Sequence, residues 1–167
     1  MSRFLCMLSI VLFMFSHSVS FAQSGTGDMK IYNGKYCQIE YPRLWIVNET
    51  PRTLTADVFI GLTNSAFGVW IFRFEKGRIS SFKKAMEEVA TRWRQFASVE
   101  ISYVRINGVD WCKQDIQMDM IGEKCRQISY YTQSGGYIYN VKFGNSKFFV
   151  DMAISTINEM MNSFIIK

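Results

Sequence analysis

The feature that most constrains the fold is a series of strand-forming segments between residues 99 and 143, separated by short turns. The segments are Val99–Ile106, Val109–Asp119, Glu123–Gln133 and Tyr137–Phe143, and the turns contain Asn107-Gly108, Ile121-Gly122 and Ser134-Gly135-Gly136. Short glycine-containing turns of this kind join neighbouring antiparallel strands. This stretch therefore predicts a meander of four long antiparallel strands.

The two central strands of the meander also predict their own pairing. If Met120–Glu123 form the turn, Asp119 lies opposite Lys124 and Gln117 lies opposite Arg126. This register brings opposite charges and polar side chains together, and such cross-strand pairs stabilise a sheet. The hairpin is thus predicted residue by residue.

The same register constrains the three cysteines that follow the N-terminal segment, Cys37, Cys112 and Cys125. It places Cys112 opposite Tyr131, roughly 20 Å along the strand from Cys125 at about 3.3 Å per residue. That separation is far beyond the reach of a disulfide. An internal disulfide would have to use Cys37, and the alternative is that all three are buried as small apolar side chains.

A first hairpin is predicted near the start of the ordered chain. Asn33-Gly34 is typical of a type I′ turn between two strands. In the second strand Cys37, Ile39 and Tyr41 alternate on one face, and Pro42 ends the strand because it lacks an N–H donor.

A second hairpin is predicted from Asp57–Thr63 and Ala66–Glu75, with its turn at Asn64-Ser65. Both segments are rich in β-branched and aromatic residues, as strands are. The segment before it, Ile46–Thr55, contains charged residues and a proline and is predicted to be a surface loop.

Two amphipathic helices complete the predicted fold, Ser80–Ala97 with Ser80 or Ser81 as its N-cap, and Ser146–Ile165. Apolar residues recur at helical spacing in both: Phe82, Met86, Val89, Trp93 and Phe96, then Phe149, Ala153, Ile157, Met160 and Phe164. Together these elements predict an α+β fold, with an antiparallel sheet of about six strands flanked by helices in an α/β/α sandwich.

The N-terminus has the three parts of a secretory signal peptide. Arg3 is followed by an apolar run, Phe4–Phe15, and small residues end at Ala22. We expect cleavage after residue 22, a flexible leader over 23–29, a single domain over 30–167, and a periplasmic or secreted protein. The alternative is an uncleaved membrane anchor, although the apolar run is short for a membrane span. No later segment is long enough to cross a bilayer.

Several kinds of chemistry are disfavoured by composition. The only histidine, His17, lies in the signal peptide, so the mature chain lacks the commonest general base and transition-metal ligand. No catalytic, metal or cofactor motif is present, and we expect none of these sites. The net charge of +5 is spread along the chain, whereas nucleic-acid binding favours a concentrated basic patch.

Two carboxylates are the main candidates for enzymatic chemistry. Asp115 and Asp119 share one strand face with Lys113, and Lys124 lies across from them. Paired carboxylates can hydrolyse glycosidic bonds, but an exposed, salt-bridged strand face is the simpler interpretation. A hydrolase that uses these carboxylates or the thiol of Cys37 stays an alternative.

Three short motifs, in order, resemble those of the PsbP/DcrB-like α/β/α sandwich superfamily. Tyr36–Trp45 (YCQIEYPRLW) resembles its opening strand, Ile106–Gly108 its turn before the meander, and Met160–Phe164 its closing helix ending in Ser-Phe. The resemblance covers residues 30–167, and Cys37 stands where an aromatic or aliphatic residue is usual. It implies a fold more than an activity, since the superfamily includes photosystem accessory subunits, a nuclear transport factor and effector chaperones, most of which bind proteins.

The predicted function is therefore a non-enzymatic binding or accessory protein of the cell envelope, whose partner is another envelope or secreted protein. An inhibitor that neutralises a toxin is a special case, and a carrier of a small apolar ligand is a second alternative. Tyrosines at the edge of a partly open sheet suit protein interfaces. The candidate contact residues are Tyr130, Tyr131, Tyr137 and Tyr139, for which packing in the core is the alternative.

Overall fold

The computed structural model describes residues 28–49, 56–62, 67–77 and 81–167. The predicted signal peptide and most of the predicted leader lie outside these ranges, as do the turn at Asn64-Ser65 and the first of the two possible N-caps, Ser80. The last residue of the predicted leader, Met29, already belongs to a strand and pairs with Pro42.

Within the described ranges, ten strands and three helices follow one another along the chain. They are β1 (Met29–Asn33), β2 (Cys37–Pro42), β3 (Ile46–Asn48), β4 (Val58–Gly61), β5 (Gly68–Glu75), α1 (Phe82–Trp93), β6 (Ser98–Ile106), β7 (Val109–Met120), β8 (Glu123–Ser134), β9 (Tyr137–Ser146), α2 (Lys147–Met152), α3 (Ile154–Asn162) and β10 (Ile165–Ile166). The fold is α+β, as predicted.

The strands form two antiparallel sheets rather than one. The large sheet has seven strands in the order β3-β4-β5-β9-β8-β7-β6, and the small sheet has three in the order β1-β2-β10. The prediction was one sheet of about six strands. The strand segments named from the sequence correspond to β1, β2 and β4–β9, so the two short strands β3 and β10 were missed. Strand β10 forms by pairing with β2, which is distant in sequence, and β3 forms by pairing with the edge of β4. Neither segment has an alternating pattern of its own.

The predicted register of the central hairpin is confirmed. Asp119 lies opposite Lys124, Gln117 opposite Arg126, and Cys112 opposite Tyr131. All three described cysteines are free thiols. The sequence argument against a disulfide between strands β7 and β8 therefore holds.

The turn between β6 and β7 is tied to the end of the helical layer. Asn107 and Gly108 have φ values of 49° and 78°, the left-handed conformation that Asn and Gly tolerate best. The Asn107 side chain donates hydrogen bonds to the carbonyl oxygens of Asn162 and Phe164, at 2.8 and 3.0 Å. A side chain in the turn thereby satisfies carbonyl groups at the end of α3.

The first hairpin forms, but its predicted turn type is wrong. Asn33 pairs with Gln38, so four residues form the loop, and neither Asn33 nor Gly34 has the positive φ that a type I′ turn requires. The amide of Gly34 donates instead to the carbonyl of Cys37 at 3.0 Å. The longer loop carries Tyr36 away from the strand ladder, where its ring meets another part of the fold.

Helix α1 confirms the first predicted helix, but it ends earlier in the sequence than predicted. The Ser81 hydroxyl accepts the amide of Lys84 at 3.4 Å, as an N-cap does, and Met86 and Ala90 are buried. The helix ends at Trp93, so Phe96 lies beyond it and is 69% exposed. The prediction that Phe96 belongs to the buried stripe is wrong because helical spacing does not extend that far.

The closing helix is broken into α2 and α3 at Ala153, where φ is −91° and ψ is 4°. Its apolar stripe still faces inward, since Ala153, Ile157, Met160 and Phe164 are all buried. The predicted helix also extended too far, because Ile165 leaves it to pair with Gln38 in the small sheet. Likewise Val47 pairs with Ile60, in a segment predicted to be a loop.

The helices cover opposite faces of the large sheet. The side-chain amide of Gln114 donates to the carbonyl of Met86 in α1 at 3.0 Å, whereas its neighbour Asp115 contacts Arg126, which also binds Asp151 in α2. Successive side chains on a strand point to opposite faces, so α1 and α2 lie on opposite sides. The main core lies on the α2–α3 side, between the large sheet, the helices and the small sheet.

No helix in the described ranges is both long enough and apolar enough to cross a membrane.

Candidate functional site

The four tyrosines singled out from the sequence do not share one surface. Tyr130 and Tyr139 are 3% and 4% exposed and belong to the core, so they cannot contribute to a docking surface as predicted. Helix α2 lies over part of the sheet face that the sequence suggested was open, since Arg126 on that face contacts Asp151. Tyr131 lies on the opposite face, where burial raises the pKa of its phenol. Tyr137 alone lies half-buried at the margin of the core.

Tyr137 takes part in a contact that joins three distant segments. The guanidinium carbon of Arg73 lies 3.3 Å from the ring centroid of Tyr36 and 4.1 Å from that of Tyr137. The cation is therefore in contact with two aromatic rings. We refer to Tyr36, Arg73 and Tyr137 as the Tyr–Arg–Tyr stack.

The position of the stack follows from the register of β5 and β9. Arg73 lies opposite Tyr139, and Glu75 lies opposite Tyr137. Arg73 continues the alternation of the buried residues Val69 and Ile71 on the core face. The stack is thus the point at which the core layer reaches the surface, and the buried Tyr139 lies directly across the strand pair from Arg73.

The backbone beneath the stack is held in place by Asp57. Its amide donates to the carbonyl of Ile71 at 2.9 Å, and its carboxylate accepts the backbone amide of Arg73. The side chain of Asp57, the residue before β4, thus continues the hydrogen bonding of β5 one step past the first residue of β4. The Asp57 carboxylate is consequently engaged by the backbone of Arg73 and not by its guanidinium.

Two lysine side chains lie beside the loop that carries Tyr36. The amine of Lys35 lies 5.0 Å from the ring centroid of Tyr36. The pKa of the Tyr36 phenol is lowered, chiefly by its hydrogen bond with Lys35 and also by the charge of Arg73, against a smaller opposing effect of desolvation. The amine of Lys167 lies at the base of the same loop, where it donates to the carbonyl of Gly34 at 2.7 Å.

This arrangement is suited to recognition more than to catalysis. Each cation–π contact at an exposed site contributes about 0.5–1 kcal/mol, enough to favour one orientation of the guanidinium. Arginine and tyrosine are the residue types that contribute most at protein interfaces. Sequence reasoning found Tyr137 but missed Arg73 and Tyr36. The available signal was an arginine at a position where the strand alternation predicts a core residue.

The strand face that carries Asp115 and Asp119 is less exposed than the sequence predicted. Asp115 is not exposed: its side chain is 12% accessible and pairs with Arg126. Arg126 also contacts Asp151 of α2, which lies close to Lys147. Asp119 is exposed, opposite Lys124. The helix α2 brings Asp151 over this strand face, a contact that strand pairing alone could not reveal.

Next to this ion-pair network lies an open groove of about 380 Å³, lined by Glu123, Lys124, Ser146, Lys147, Phe148 and Asp151. The side chain of Phe148 at its rim is 66% exposed. Side chains of both charges line the groove, so neither an anionic nor a cationic ligand is favoured.

The thiols are poorly suited to nucleophilic chemistry. Desolvation raises the pKa of Cys37 to about 11 and that of Cys112 to about 11, and it also raises the pKa of Cys125. A thiol with a raised pKa carries little thiolate at neutral pH. Among the described residues, no group of histidine, cysteine and acidic side chains is arranged to hold a metal ion.

Comparisons with known proteins bear on the fold. No protein-family model matches the chain, and no curated protein matches it either. The solution structure of cyanobacterial PsbP (CyanoP) from Synechocystis sp. PCC 6803 is 12% identical and matches 89% of this chain and 98% of its own, with a TM-score of 0.60.

Two bacterial crystal structures agree with this result. LpqN, described as involved in cell envelope biogenesis of Mycobacterium tuberculosis, is 14% identical over 86% of this chain and 87% of its own, with a TM-score of 0.55. PA94 from Pseudomonas aeruginosa is 12% identical over 83% and 97%, with a TM-score of 0.50. The chain therefore has the PsbP/DcrB-like α/β/α fold that its sequence motifs predicted.

Proposed function

We propose that this chain is an exported, non-enzymatic accessory protein of the cell envelope that acts by binding another protein. The observation that carries the proposal is the Tyr–Arg–Tyr stack, a cation in contact with two half-buried rings at the edge of the core. The N-terminal sequence supports export. The likeness to CyanoP and to LpqN, a protein involved in cell envelope biogenesis, supports an accessory role.

The stack has the physical properties of an interface anchor. Tyrosine presents a large, partly apolar surface and loses little side-chain entropy on binding. Here that surface is already ordered, since each ring contacts the guanidinium and packs against the core. Ordering an interface before the partner arrives lowers the cost of association.

A non-enzymatic role is supported by the environments of the candidate catalytic groups Asp115 and Cys37. The carboxylate of Asp115 is engaged by the guanidinium of Arg126, at 2.9 Å for one of its two contacts. The thiol of Cys37 is buried, with a pKa of about 11. A general base and a nucleophile need accessible groups with pKa values near the working pH.

Site-specific photocrosslinking in cells tests this proposal. A photoreactive phenylalanine analogue replaces Tyr36 or Tyr137, and two controls carry the same analogue at the exposed positions Phe96 and Phe148. We expect one discrete protein adduct, identified by mass spectrometry, from the two stack positions and not from the controls. The same adducts from all four positions, or no adduct from the stack under any growth condition, would refute the proposal.

A further inference from the structure

The geometry points to a carboxylate on an acidic segment of the partner protein as the group that Arg73 binds. This inference rests on the proposed function and specifies the chemistry of that same site. It follows from three observations: two aromatic rings contact the guanidinium, its edge has no partner among the described residues, and side chains of both charges lie nearby.

The first observation concerns which part of Arg73 can bind. A guanidinium is planar, and its N–H donors lie in that plane. The ring centroids of Tyr36 and Tyr137 lie 3.3 and 4.1 Å from the guanidinium carbon, so both rings contact the cation. Its hydrogen-bonding edge is a row of donors whose spacing matches the two oxygens of a carboxylate.

The second observation is that this edge has no partner within the described part of the chain. Three other described arginines form ion pairs: Arg43 with Asp28, Arg105 with Asp110, and Arg126 with Asp115 and Asp151. Arg92 and Arg94 form none with a described residue, but both are exposed, whereas Arg73 is half-buried. The Arg73 guanidinium has ring contacts but no hydrogen bond or ion pair with any described residue. A half-buried guanidinium that is oriented and unpaired is prepared to receive an external acceptor.

The third observation selects the acceptor. Lys35 adds positive charge beside Tyr36, which attracts an anion. Two acids are also near. The carboxylate of Asp57 accepts the backbone amide of Arg73, and Glu75 lies two residues after Arg73 on the same face of β5. These acids repel a doubly charged phosphate more than a singly charged carboxylate, so we assign an Asp or Glu side chain.

Binding of designed peptides, measured by fluorescence anisotropy, tests the assignment. The probes are a labelled peptide of alternating Glu and Gly, its counterpart with Gln for Glu, and a counterpart with phosphoserine for Glu. The protein variants are Arg73→Gln, Arg73→Lys and the control Arg105→Gln, which removes an equal charge from an exposed arginine elsewhere. Circular dichroism of each variant verifies that it is folded.

We expect the Glu peptide to bind the unmodified protein more tightly than the Gln or phosphoserine peptides. Arg73→Gln should weaken its binding by about ten- to hundredfold, since a charge-assisted hydrogen-bonded pair is lost. Arg73→Lys keeps the charge but not the planar fork, and should weaken binding by an intermediate factor. Arg105→Gln should bind like the unmodified protein.

Several results would overturn the assignment. One is unchanged binding in Arg73→Gln; another is an equal loss in Arg105→Gln, which would indicate unspecific charge attraction. If the phosphoserine peptide binds through Arg73 more tightly than the Glu peptide, the ligand of the site is a phosphorylated partner and not a carboxylate. If Arg73→Gln does not fold, two other results decide the question. The assignment is refuted if Arg73→Lys binds the Glu peptide as tightly as the unmodified protein does, or if the unmodified protein binds the Glu and Gln peptides equally. A crosslinked partner at Tyr36 without carboxylate binding would leave the proposed function intact.

Discussion

Replacing Arg126 should destabilise the fold more than replacing any exposed arginine. Its guanidinium donates to both oxygens of Asp115, at 2.9 Å for the Nε contact, and also to Asp151. The side chains of Arg126 and Asp115 are 18% and 12% accessible. Arg126→Met removes the cation and leaves the two carboxylates close together, with water able to reach them only in part.

The magnitude follows from these exposures. Removing one partner of a buried ion pair costs about 3–5 kcal/mol, because the other charge stays uncompensated. Asp151 keeps Lys147 and is 38% accessible, which places the cost at the lower end, about 3 kcal/mol. With a urea m value of about 2 kcal/mol per molar, the unfolding midpoint should fall by about 1.5 M. The melting temperature should fall by about 6–12 °C for a domain of this size.

Urea unfolding followed by tryptophan fluorescence measures this change, since Trp111 is 1% exposed in the folded protein. The control is Arg105→Met, whose ion pair with Asp110 spans 3.9 Å and is 73% and 83% accessible at its two partners. An exposed pair of this kind contributes about 0–1 kcal/mol, so the control should unfold within about 0.5 M of the unmodified protein.

A second variant separates the loss of the cation from the loss of packing. In the double variant Arg126→Met with Asp115→Leu, the stranded carboxylate is removed as well. Replacing both members of a buried pair by apolar side chains is often neutral, so the double variant should be more stable than Arg126→Met alone. A cost below about 1 kcal/mol for Arg126→Met, or a double variant less stable than the single one, would refute the reasoning.

Three further changes have effects that can be worked out from the structure. Gly68→Ala should lower the melting temperature, because a Cβ there meets the backbone of β4 and overpacking costs about 1–3 kcal/mol; an unchanged melting curve contradicts this. Asn107→Gly keeps the turn conformation but loses two hydrogen bonds to carbonyl groups at the end of α3, and should cost about 1–2 kcal/mol in urea unfolding. Iodoacetamide should modify Cys125 before Cys37 and Cys112, which are buried with pKa values of about 11. Alkylation of all three should accelerate as pH rises toward those values, because the thiolate is the reacting form; peptide mapping by mass spectrometry measures the order.

Local patterns in the sequence were sufficient to predict most of the fold. The central hairpin of the meander was predicted with its register because strand alternation, the glycine turn and cross-strand charges all favour one pairing, as Asp119 opposite Lys124 illustrates. The elements that were missed are those whose formation depends on distant partners. Ile165 forms a strand only because the edge of β2 is available, and Ile46 only because β4 is adjacent. Neither segment carries enough residues for a pattern of its own.

The candidate site was harder to predict than the fold, and the tyrosines show why. Tyr130 and Tyr137 lie on the same face of neighbouring strands, yet one is in the core and the other at its margin. That difference is set by packing between the layers of the fold, which no strand pattern contains. The informative residue was Arg73, at a core position in the alternation Val69, Ile71, Arg73. Charged side chains are rarely buried without a partner, so an arginine in such a position predicts either an internal ion pair or a contact that leaves its charge available. The rings of Tyr36 and Tyr137 provide the second outcome here, because aromatic faces stabilise the cation without neutralising it. The charge of Arg73 is thereby left without an ion pair among the described residues, which is the condition that the proposed carboxylate site requires.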